Sequence, residues 1–362
     1  MRARIAVLAG DGVGPEVTAE AVRVLERVAA RFGHEFAFVE CLVGGAGIDA
    51  AGDPLPARTR AQVADADAVL LGAVGGPRWS DPSAPVRPEQ GLLALRAAMK
   101  VFANLRPVTT RDALVDAAPL RPELLRGVDV LFVRELTGGL YFGEKTLAPG
   151  PDGETATDLC SYTTGEIERV ARVAGRLART RGRRVTSVDK ANVLETSRLW
   201  RRTVTRVMRD EFPDVVLEHA LVDSFAMQLL RAPASYDVVV TENLFGDILT
   251  DEAAVLAGSI GLLPSASLGL PRADGRTPGL YEPIHGSAPD IAGTGKANPV
   301  GAILSAAMLL RHSLDAEQEA SAVEQAVRTV LEDGWRTPDL LLSGRGPACT
   351  TAELGAEICR RL

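Results

Sequence analysis

Short runs of aliphatic and β-branched residues alternate with stretches of helical periodicity along this whole chain, and this alternation constrains the fold most. The strand-like runs include residues 5–9, Ala68–Ala73, 128–135, Arg184–Asp189, 215–219 and 237–241. Amphipathic helices are predicted at 15–31, 92–101, 166–180 and 299–311, with further helices after Asn192, Asp223 and Asn243. The pattern predicts a largely parallel α/β sheet. The 362 residues suffice for two such domains or for one large unit.

Composition excludes several classes of protein. The formal net charge of −7 is spread along the chain without a block of like charges, which argues against a nucleic-acid scaffold. No run approaches the roughly 18 consecutive apolar residues of a membrane span, and the first ten residues are typical of a buried strand rather than a signal peptide. The cysteines lack C-x-x-C spacing, which favours reduced structural thiols over zinc or redox chemistry. The sequence therefore predicts a cytoplasmic globular protein that binds neither nucleic acid nor membrane.

The segment GDGVGPE, residues 10–16, follows the first predicted strand and opens a helix. A dinucleotide fingerprint, G-x-G-x-x-G, needs glycine where Pro15 stands, so a Rossmann site is disfavoured. The glycines still allow the backbone to approach another group closely. The alternative is a tight turn between strand and helix.

Two sets of charged residues are candidate binding groups. Asp247 and Asp251 are four residues apart, which puts both carboxylates on one helical face. A divalent cation with oxygen ligands would relieve their repulsion, and the alternative is a solvated acidic pair. Arg96, Arg106 and Arg134 are isolated arginines on a helix and two strands. They are either surface residues or, if they converge, a receptor for the two carboxylates of a small anion.

Lys190 ends a predicted strand beside Asp189, in a chain whose few lysines are Lys100, Lys145, Lys190 and Lys296. A partly buried lysine near a carboxylate could act as a base, and a strand-end salt bridge is the alternative. The loop at 285–293 is rich in free backbone N–H groups. Within it, Asp290 could accept hydrogen bonds from ribose hydroxyls and would repel a 2′-phosphate, which favours NAD over NADP.

Nine segments together resemble a known family. They are GDGVGPE (10–16), GAVGGPRW (72–79), GLLALR (91–96), NLRP (104–107), VRELTGGLYFGE (133–144), DKANVL (189–194), TENLFGDILTDEA (241–253), LPSASLG (263–269) and LYEPIHGSAPDIAG (280–293). In this order they are similar to the isopropylmalate dehydrogenases of the isocitrate/isopropylmalate dehydrogenase family, over essentially the whole chain. The resemblance implies two α/β domains that share a continuous mixed sheet, not a Rossmann fold, with the active site between them.

The domains that the resemblance implies are residues 1–101 plus 258–362, which bind NAD, and residues 102–257. The second would carry the interface of a homodimer and an arm at about 138–158 that clasps the other subunit. Active sites would be shared, with Asp223 and Lys190 reaching in from the partner chain.

The resemblance also implies a role for each matching site residue. Tyr141 and Lys190 are the expected catalytic acid and base, and Asp223, Asp247 and Asp251 the expected ligands of Mg²⁺ or Mn²⁺. The expected substrate-binding residues are Glu89, Leu92, Leu93, Arg96, Arg106, Arg134, Asn192, Val193 and Asp223. The expected NAD-binding residues are Gly75, Gly76, Glu282, His285, Gly286, Ser287, Ala288, Pro289, Asp290, Ile291 and Asn298.

The implied activity is the NAD-dependent, metal-assisted oxidative decarboxylation of (2R,3S)-3-isopropylmalate to 2-oxoisocaproate in leucine biosynthesis. Leu92 and Leu93 suit the isopropyl group, since burying a branched alkyl substituent is worth about 2 kcal/mol. One alternative is a paralogue that oxidises another 3-substituted malate, of the homoisocitrate, tartrate, D-malate or arylalkyl-malate type. Another is a non-catalytic binding protein, against which the intact set of acidic, basic and tyrosine residues argues.

Overall fold

A computed structural model describes residues 1–79, 81, 84–272, 275–341 and 347–362. Its strands are β1 (Arg2–Gly10), β2 (Glu35–Glu40), β3 (Ala68–Ala73), β4 (Ala103–Thr109), β5 (Asp129–Glu135), β6 (Lys145–Gly150), β7 (Gly153–Asp158), β8 (Arg184–Asp189), β9 (Val216–Leu221), β10 (Val238–Thr241), β11 (Pro264–Leu268) and β12 (Gly279–Pro283). Its helices are α1 (Gly14–Phe32), α2 (Gly44–Ala51), α3 (Ala57–Ala64), α4 (Pro88–Met99), α5 (Pro122–Leu125), α6 (Thr164–Arg179), α7 (Glu195–Glu211), α8 (Val222–Arg231), α9 (Asn243–Ala254), α10 (Val300–His312), α11 (Glu317–Glu332) and α12 (Thr351–Arg361). The predicted α/β class is confirmed.

The first compact unit comprises Met1–Val101, Arg111–Pro119 and Ala257–Leu362. Its strands are ordered β2-β1-β3-β12-β11. The pairs β1–β2, β1–β3 and β3–β12 are parallel, whereas β11 is antiparallel to β12. Every residue of β3 is buried, as expected for a strand with both faces of its sheet covered. The carboxyl ends of β1 and β3 therefore lie at one edge, followed by the glycine-rich turns at residues 10–14 and 75–76.

The second unit comprises Phe102–Thr110 and Leu120–Leu256. Its strands are ordered β4-β5-β10-β8-β9, with β4 antiparallel to β5 and the remaining neighbours parallel. The carboxyl ends of β5, β8 and β10 therefore share one edge, where Arg134, Lys190 and the start of α9 are found. The segment Arg111–Pro119 groups with the first unit, although the predicted second domain, 102–257, includes it.

Local sequence explains where these elements begin and end. Helix α1 has proline in its first turn and ends at Gly33, whose φ of 71° is left-handed. Helix α6 begins with a capping box in which Thr163 and Glu166 satisfy each other's backbone N–H groups. The helix predicted at 92–101 starts earlier, at Pro88, because proline at the first helical position fixes the first turn.

Two irregular stretches of sequence contain strands. The polar segment after Gly138 forms an antiparallel hairpin of β6 and β7, almost all of it exposed. The Gly/Pro/Ser-rich stretch at 258–298 contains the buried strands β11 and β12. Among the described residues, no helix is both long and apolar enough to cross a membrane.

Candidate functional site

Two buried arginines project from neighbouring strands of the second unit. Antiparallel pairing sets Asn104 of β4 opposite Arg134 of β5, and Arg106 is two residues further along β4. Because strand side chains alternate between faces, Arg106 and Arg134 lie on the same face of the sheet. Their side chains are only 10% and 4% exposed. Two guanidiniums on one face are suited to binding a dicarboxylate.

The carboxylates of α9 face these guanidiniums. Asp247 Oδ1 pairs with Arg134 Nη1, and Arg106 Nη2 is 3.8 Å from the same oxygen. Arg106 Nη1 is 3.7 Å from Asp251 Oδ1. Burial acts to raise the pKa of Asp247, but the charge of Arg134, the Tyr141 hydroxyl and Arg106 hold it below its usual value. Burial raises the pKa of Asp251, and the neighbouring Asp247 charge adds to that shift.

Tyr141 joins this cluster from the turn that follows β5. Its hydroxyl donates to Asp247 Oδ2 at 2.6 Å, and the Arg134 guanidinium carbon is 5.6 Å from the centre of its ring. Burial, and then the hydrogen bond to Asp247, raise the pKa of Tyr141 to about 12. The phenol therefore keeps its proton at neutral pH and is suited to act as a general acid.

Lys145 holds the turn that carries Tyr141. Its ammonium donates to the carbonyl oxygens of Leu140, Tyr141 and Gly143 at 2.8, 3.1 and 3.2 Å. These bonds fix the backbone on both sides of the phenol. Lys145 is one of the chain's few lysines, but no function was predicted for it.

Lys190 and Asp223 form a separate pair within the second unit. Lys190 Nζ donates to Asp223 Oδ2 at 2.7 Å, and their side chains are 24% and 63% exposed. The hydrogen bond from Lys190 is the main reason why the pKa of Asp223 is lowered. Asn192 and Val193 are exposed in the turn after β8, where the Val193 N–H donates to the Lys190 carbonyl.

The predicted metal ligands are not all brought together within one chain. Asp247 and Asp251 lie one turn apart on α9. Asp223 is on α8, where it pairs with Lys190 from the end of β8. Across the described ranges, no group of three or more His, Cys, Asp or Glu side chains could hold a metal ion.

In the first unit, Arg96 of α4 and Glu282 of β12 form an ion pair that the sequence did not predict. Arg96 Nη2 is 2.6 Å from Glu282 Oε1, and their side chains are 12% and 9% exposed. Arg96 Nε is buried and has no hydrogen-bond partner among the residues that the structure describes. This orphan donor is available to an acceptor outside the described chain.

The other predicted residues of α4 differ in their surroundings. Leu92 packs against the hydrophobic core of the first unit, so it has a structural role at least. Leu93 is 37% exposed and is the leucine more accessible to a ligand. Glu89, in the first turn of α4, lies close to Gly75, where an added Cβ would be 3.1 Å from Glu89 Oε1.

The predicted NAD loop packs against the turn at residues 10–14. The Val13 N–H donates to the Ser287 carbonyl at 2.8 Å, and a Cβ on Gly12 would lie only 1.9 Å from that oxygen. Glycine is therefore required at position 12, whose φ is +59°. The GDGVGPE motif, which does not match the Rossmann fingerprint, therefore supports the predicted NAD loop.

Two residues of the predicted NAD set, His285 and Asn298, differ in their surroundings. His285 Nδ1 lies 2.8 Å from the Gly286 carbonyl, and buried Nε2 has no protein partner within the described ranges. Burial lowers the pKa of His285, so the imidazole is neutral at neutral pH. Asn298 caps α10 by accepting from the Val300 N–H and donates to Asp339 Oδ2.

The remaining predicted NAD residues form turns. Ala288 has a positive φ of 37°, and the Ile291 N–H donates to its carbonyl at 3.2 Å. Gly286, Pro289 and Asp290 are exposed. Gly76 lies beneath the Trp79 ring, which an added Cβ would approach to 3.2 Å. Open backbone and an exposed acid are features that a nucleotide-binding loop requires.

The family model for isocitrate/isopropylmalate dehydrogenases matches residues 4–358 of this chain. The chain belongs to the isocitrate/isopropylmalate dehydrogenase family. It is 59% identical to a 3-isopropylmalate dehydrogenase of Anaeromyxobacter dehalogenans over 363 residues, covering 100% of both chains. It is 55% identical to a 3-isopropylmalate dehydrogenase of Rhodopirellula baltica, covering 100% of this chain and 99% of the relative.

Solved structures of the isocitrate/isopropylmalate dehydrogenase family have the same fold. An isocitrate dehydrogenase of Methylococcus capsulatus superposes with a TM-score of 0.85 at 34% identity, and 99% of each chain is covered. A β-decarboxylating dehydrogenase of Thermococcus kodakarensis gives 0.78 at 38% identity, covering 99% of this chain and 96% of the other. The recognition of this family from the sequence is confirmed, as is its fold.

Sequence reasoning missed the residues that hold these groups in place. They are Asp11, Glu16, Lys145, Tyr162, Glu242, Asn243 and Thr250. Glu16 accepts from the N–H groups of Gly293 and Gly295. Asp11, Glu16 and Asn243 lie inside matched motifs, and this is the one signal that could have found them, because their partners are distant in the chain.

Proposed function

We propose that this chain is an NAD-dependent 3-isopropylmalate dehydrogenase, which oxidises C2 of (2R,3S)-3-isopropylmalate and releases the β-carboxylate as CO₂. The observation that carries the proposal is the pair of buried guanidiniums, Arg106 and Arg134, facing the acids of α9. This arrangement occurs in a chain that is 59% identical over its full length to a relative of that name.

The donor set fits a hard divalent cation. Asp247 and Asp251 present carboxylate oxygens one helical turn apart, and repulsion between them contributes to the raised pKa of Asp251. A dication would relieve that repulsion, and Mg²⁺ or Mn²⁺ prefers such oxygen ligands. We propose Asp223 of the partner subunit as the third carboxylate, in a homodimer clasped by the exposed β6–β7 hairpin.

The first unit offers features that fit NAD. In the described chain, Nε2 of His285 is a buried polar atom without a protein partner, and the space beside the Cα atom of Gly286 is open. We propose that Asp290 accepts hydrogen bonds from the adenosine ribose. When bound, the dication would lower the pKa of the C2 hydroxyl and NAD⁺ would accept the C2 hydride.

The protein groups supply substrate binding and proton transfer. Arg96, Arg106 and Arg134 bind the two carboxylates, and Nζ of the partner subunit's Lys190 takes the C2 hydroxyl proton as hydride leaves C2. The bond between C3 and the β-carboxylate then breaks, CO₂ leaves, and the electron pair of that bond remains on C3 and the C2 oxygen as an enolate. Tyr141 Oη gives its proton to C3, which yields 2-oxoisocaproate.

The test is NADH formation across a substrate panel: 3-isopropylmalate, isocitrate, homoisocitrate, D-malate and tartrate, each with and without Mg²⁺ or Mn²⁺. We expect the highest kcat/KM with 3-isopropylmalate and a requirement for the dication. A higher kcat/KM on another malate would instead identify a paralogue. No turnover on any member of the panel would identify a binding protein.

The cofactor assignment has its own test. Asp290→Lys should lower the NAD/NADP ratio of kcat/KM, because the lysine removes the repulsion of a 2′-phosphate and attracts it. Glu26→Lys, an exposed position on α1, makes the same charge change as a control. An unchanged ratio in Asp290→Lys would refute the role of Asp290.

A further inference from the structure

Asn243 provides the main anchor for the Arg134 side chain. Its Oδ1 accepts hydrogen bonds from Arg134 Nε at 3.0 Å and from Nη2 at 2.8 Å. Both residues are buried, with Asn243 1% and Arg134 3% exposed. One oxygen thus holds one edge of the guanidinium, while Nη1 on the other edge is directed to Asp247.

Asn243 is itself held by two further hydrogen bonds. Its backbone N–H donates to the Tyr162 hydroxyl at 3.0 Å, and its Nδ2 donates to the Gly138 carbonyl at 3.3 Å. The Tyr162 hydroxyl in turn donates to Glu242 Oε2 at 3.1 Å. Glu242 also caps α9 by accepting from the N–H groups of Leu244 and Phe245. The anchor is therefore rigid before any ligand binds.

The chemistry of the anchor matters as much as its position. A carboxylate at the same place would hold the guanidinium equally well, but its negative charge would offset the charge of Arg134. A carboxamide orients the guanidinium through the same oxygen and adds no negative charge to that of Asp247, which already pairs with Arg134.

Arg106 is also held by the side-chain oxygen of an asparagine. Its Nε donates to Asn104 Oδ1 at 2.7 Å, and its Nη1 donates to Thr250 Oγ1 at 2.6 Å. Its carboxylate neighbours, Asp247 and Asp251, are more distant, at 3.8 and 3.7 Å. Both buried guanidiniums of the second unit are thus anchored by the oxygen of an asparagine.

We infer that Asn243 and Asn104 are positioning residues that orient Arg134 and Arg106 toward the substrate carboxylates without adding negative charge beside the guanidiniums. The inference rests on the proposed function, in which these arginines bind a dicarboxylate. It adds that the neutrality of the two amides is a requirement for tight binding of the diacid.

The experiment compares Asn243→Asp, Asn243→Ala and the wild type with NAD and Mg²⁺ present. We expect Asn243→Asp to raise KM for 3-isopropylmalate about tenfold to a hundredfold, with KM for NAD within about twofold of wild type. Asn243→Ala should also raise KM for the diacid, because the fork loses its anchor. Ser187→Ala is the control, since it removes another buried hydrogen bond, from Trp200, and should lower Tm without changing KM.

A double-mutant cycle separates positioning from general destabilisation. If Asn243 acts through Arg134, Asn243→Ala should change the Kd of 3-isopropylmalate, measured by calorimetry, less than about twofold in an Arg134→Lys background. Equal effects of Asn243→Ala in both backgrounds would overturn the positioning role. Wild-type KM in Asn243→Asp would overturn the requirement for neutrality. Should Asn243→Asp not fold, Asn104→Asp applies the same test at Arg106.

The inference and the proposed function fail in different ways. Calorimetry detects diacid binding whether or not turnover follows. A wild-type chain that binds 3-isopropylmalate without oxidising it would overturn the proposed reaction, while the variant Kd values would still decide the role of the asparagines.

Discussion

Asp11 is the residue of the GDGVGPE motif whose replacement gives the sharpest prediction. Its carboxylate accepts three backbone N–H bonds, from Gly45, Ala46 and Gly75, each at 2.8 Å. Asp11 itself is only 8% exposed. One side chain therefore joins the turn after β1, the start of α2 and the glycine turn after β3.

The cost of Asp11→Asn follows from how these bonds are divided between the two oxygens. Oδ2 accepts from Gly45 and Gly75, whereas Oδ1 accepts from Ala46 alone. The asparagine would therefore keep its oxygen at the Oδ2 position and turn its NH₂ toward the Ala46 N–H. Losing one charge-assisted bond costs about 2 kcal/mol, and the unpaired N–H adds about 1 kcal/mol. The free energy of unfolding should fall by about 3 kcal/mol.

The functional effect should be confined to the cofactor. Because Gly75 belongs to the proposed NAD site, a looser turn should raise KM for NAD about tenfold and leave KM for 3-isopropylmalate unchanged. Steady-state NADH formation gives both constants, and urea unfolding gives the stability. Asp53→Asn is a matched control in the same unit, since Asp53 Oδ1 accepts from the Leu55 N–H alone.

Two results would refute this reasoning. Unchanged stability in Asp11→Asn would mean that the three hydrogen bonds do not carry the predicted energy. A loss of stability with an unchanged KM for NAD would mean that Asp11 supports the fold but does not position the cofactor turn.

Three further predictions concern the proton-transfer residues and a buried histidine. Tyr141→Phe should lower kcat by about 10²- to 10⁴-fold with little change in KM, because it removes the acid and keeps the ring; near-normal kcat would exclude Tyr141 as the acid. Lys190→Met should abolish turnover and leave dimerisation intact, as measured by kinetics and light scattering; retained kcat would exclude Lys190 as the base. Burial lowers the pKa of His312 from 6.5 to about 4, so its stabilising contribution is present above pH 6.5 and is lost as the pH falls toward 4. Protonation of His312 should therefore lower the unfolding free energy of the wild type by about 2 kcal/mol between pH 7 and pH 5. His312→Gln should abolish this contribution, and urea titrations at both pH values would detect the difference.

Local patterns predicted most of the framework because they depend on neighbours in the chain. The buried run at Ala68–Ala73 and the run at Arg184–Asp189 are strands with those same bounds. The four-residue spacing of Asp247 and Asp251 correctly placed both acids on one helix. The hairpin β6–β7 was not predicted, since its exposed residues carry no alternation of apolar and polar side chains.

Periodicity and ordered motifs can be read along the chain, and they were enough to predict the α/β class, the family and the chemical types of the site residues. Which of these residues meet depends on how the strands and helices pack. Tyr141 and Asp247 are 106 residues apart, Arg134 and Asn243 are 109 apart, and Arg96 and Glu282 are 186 apart. Strand order and register bring such pairs together, and no local pattern encodes them. For the same reason, the partners of Asn104 and Asn243 could not be predicted from the sequence, although both residues lie inside matched motifs.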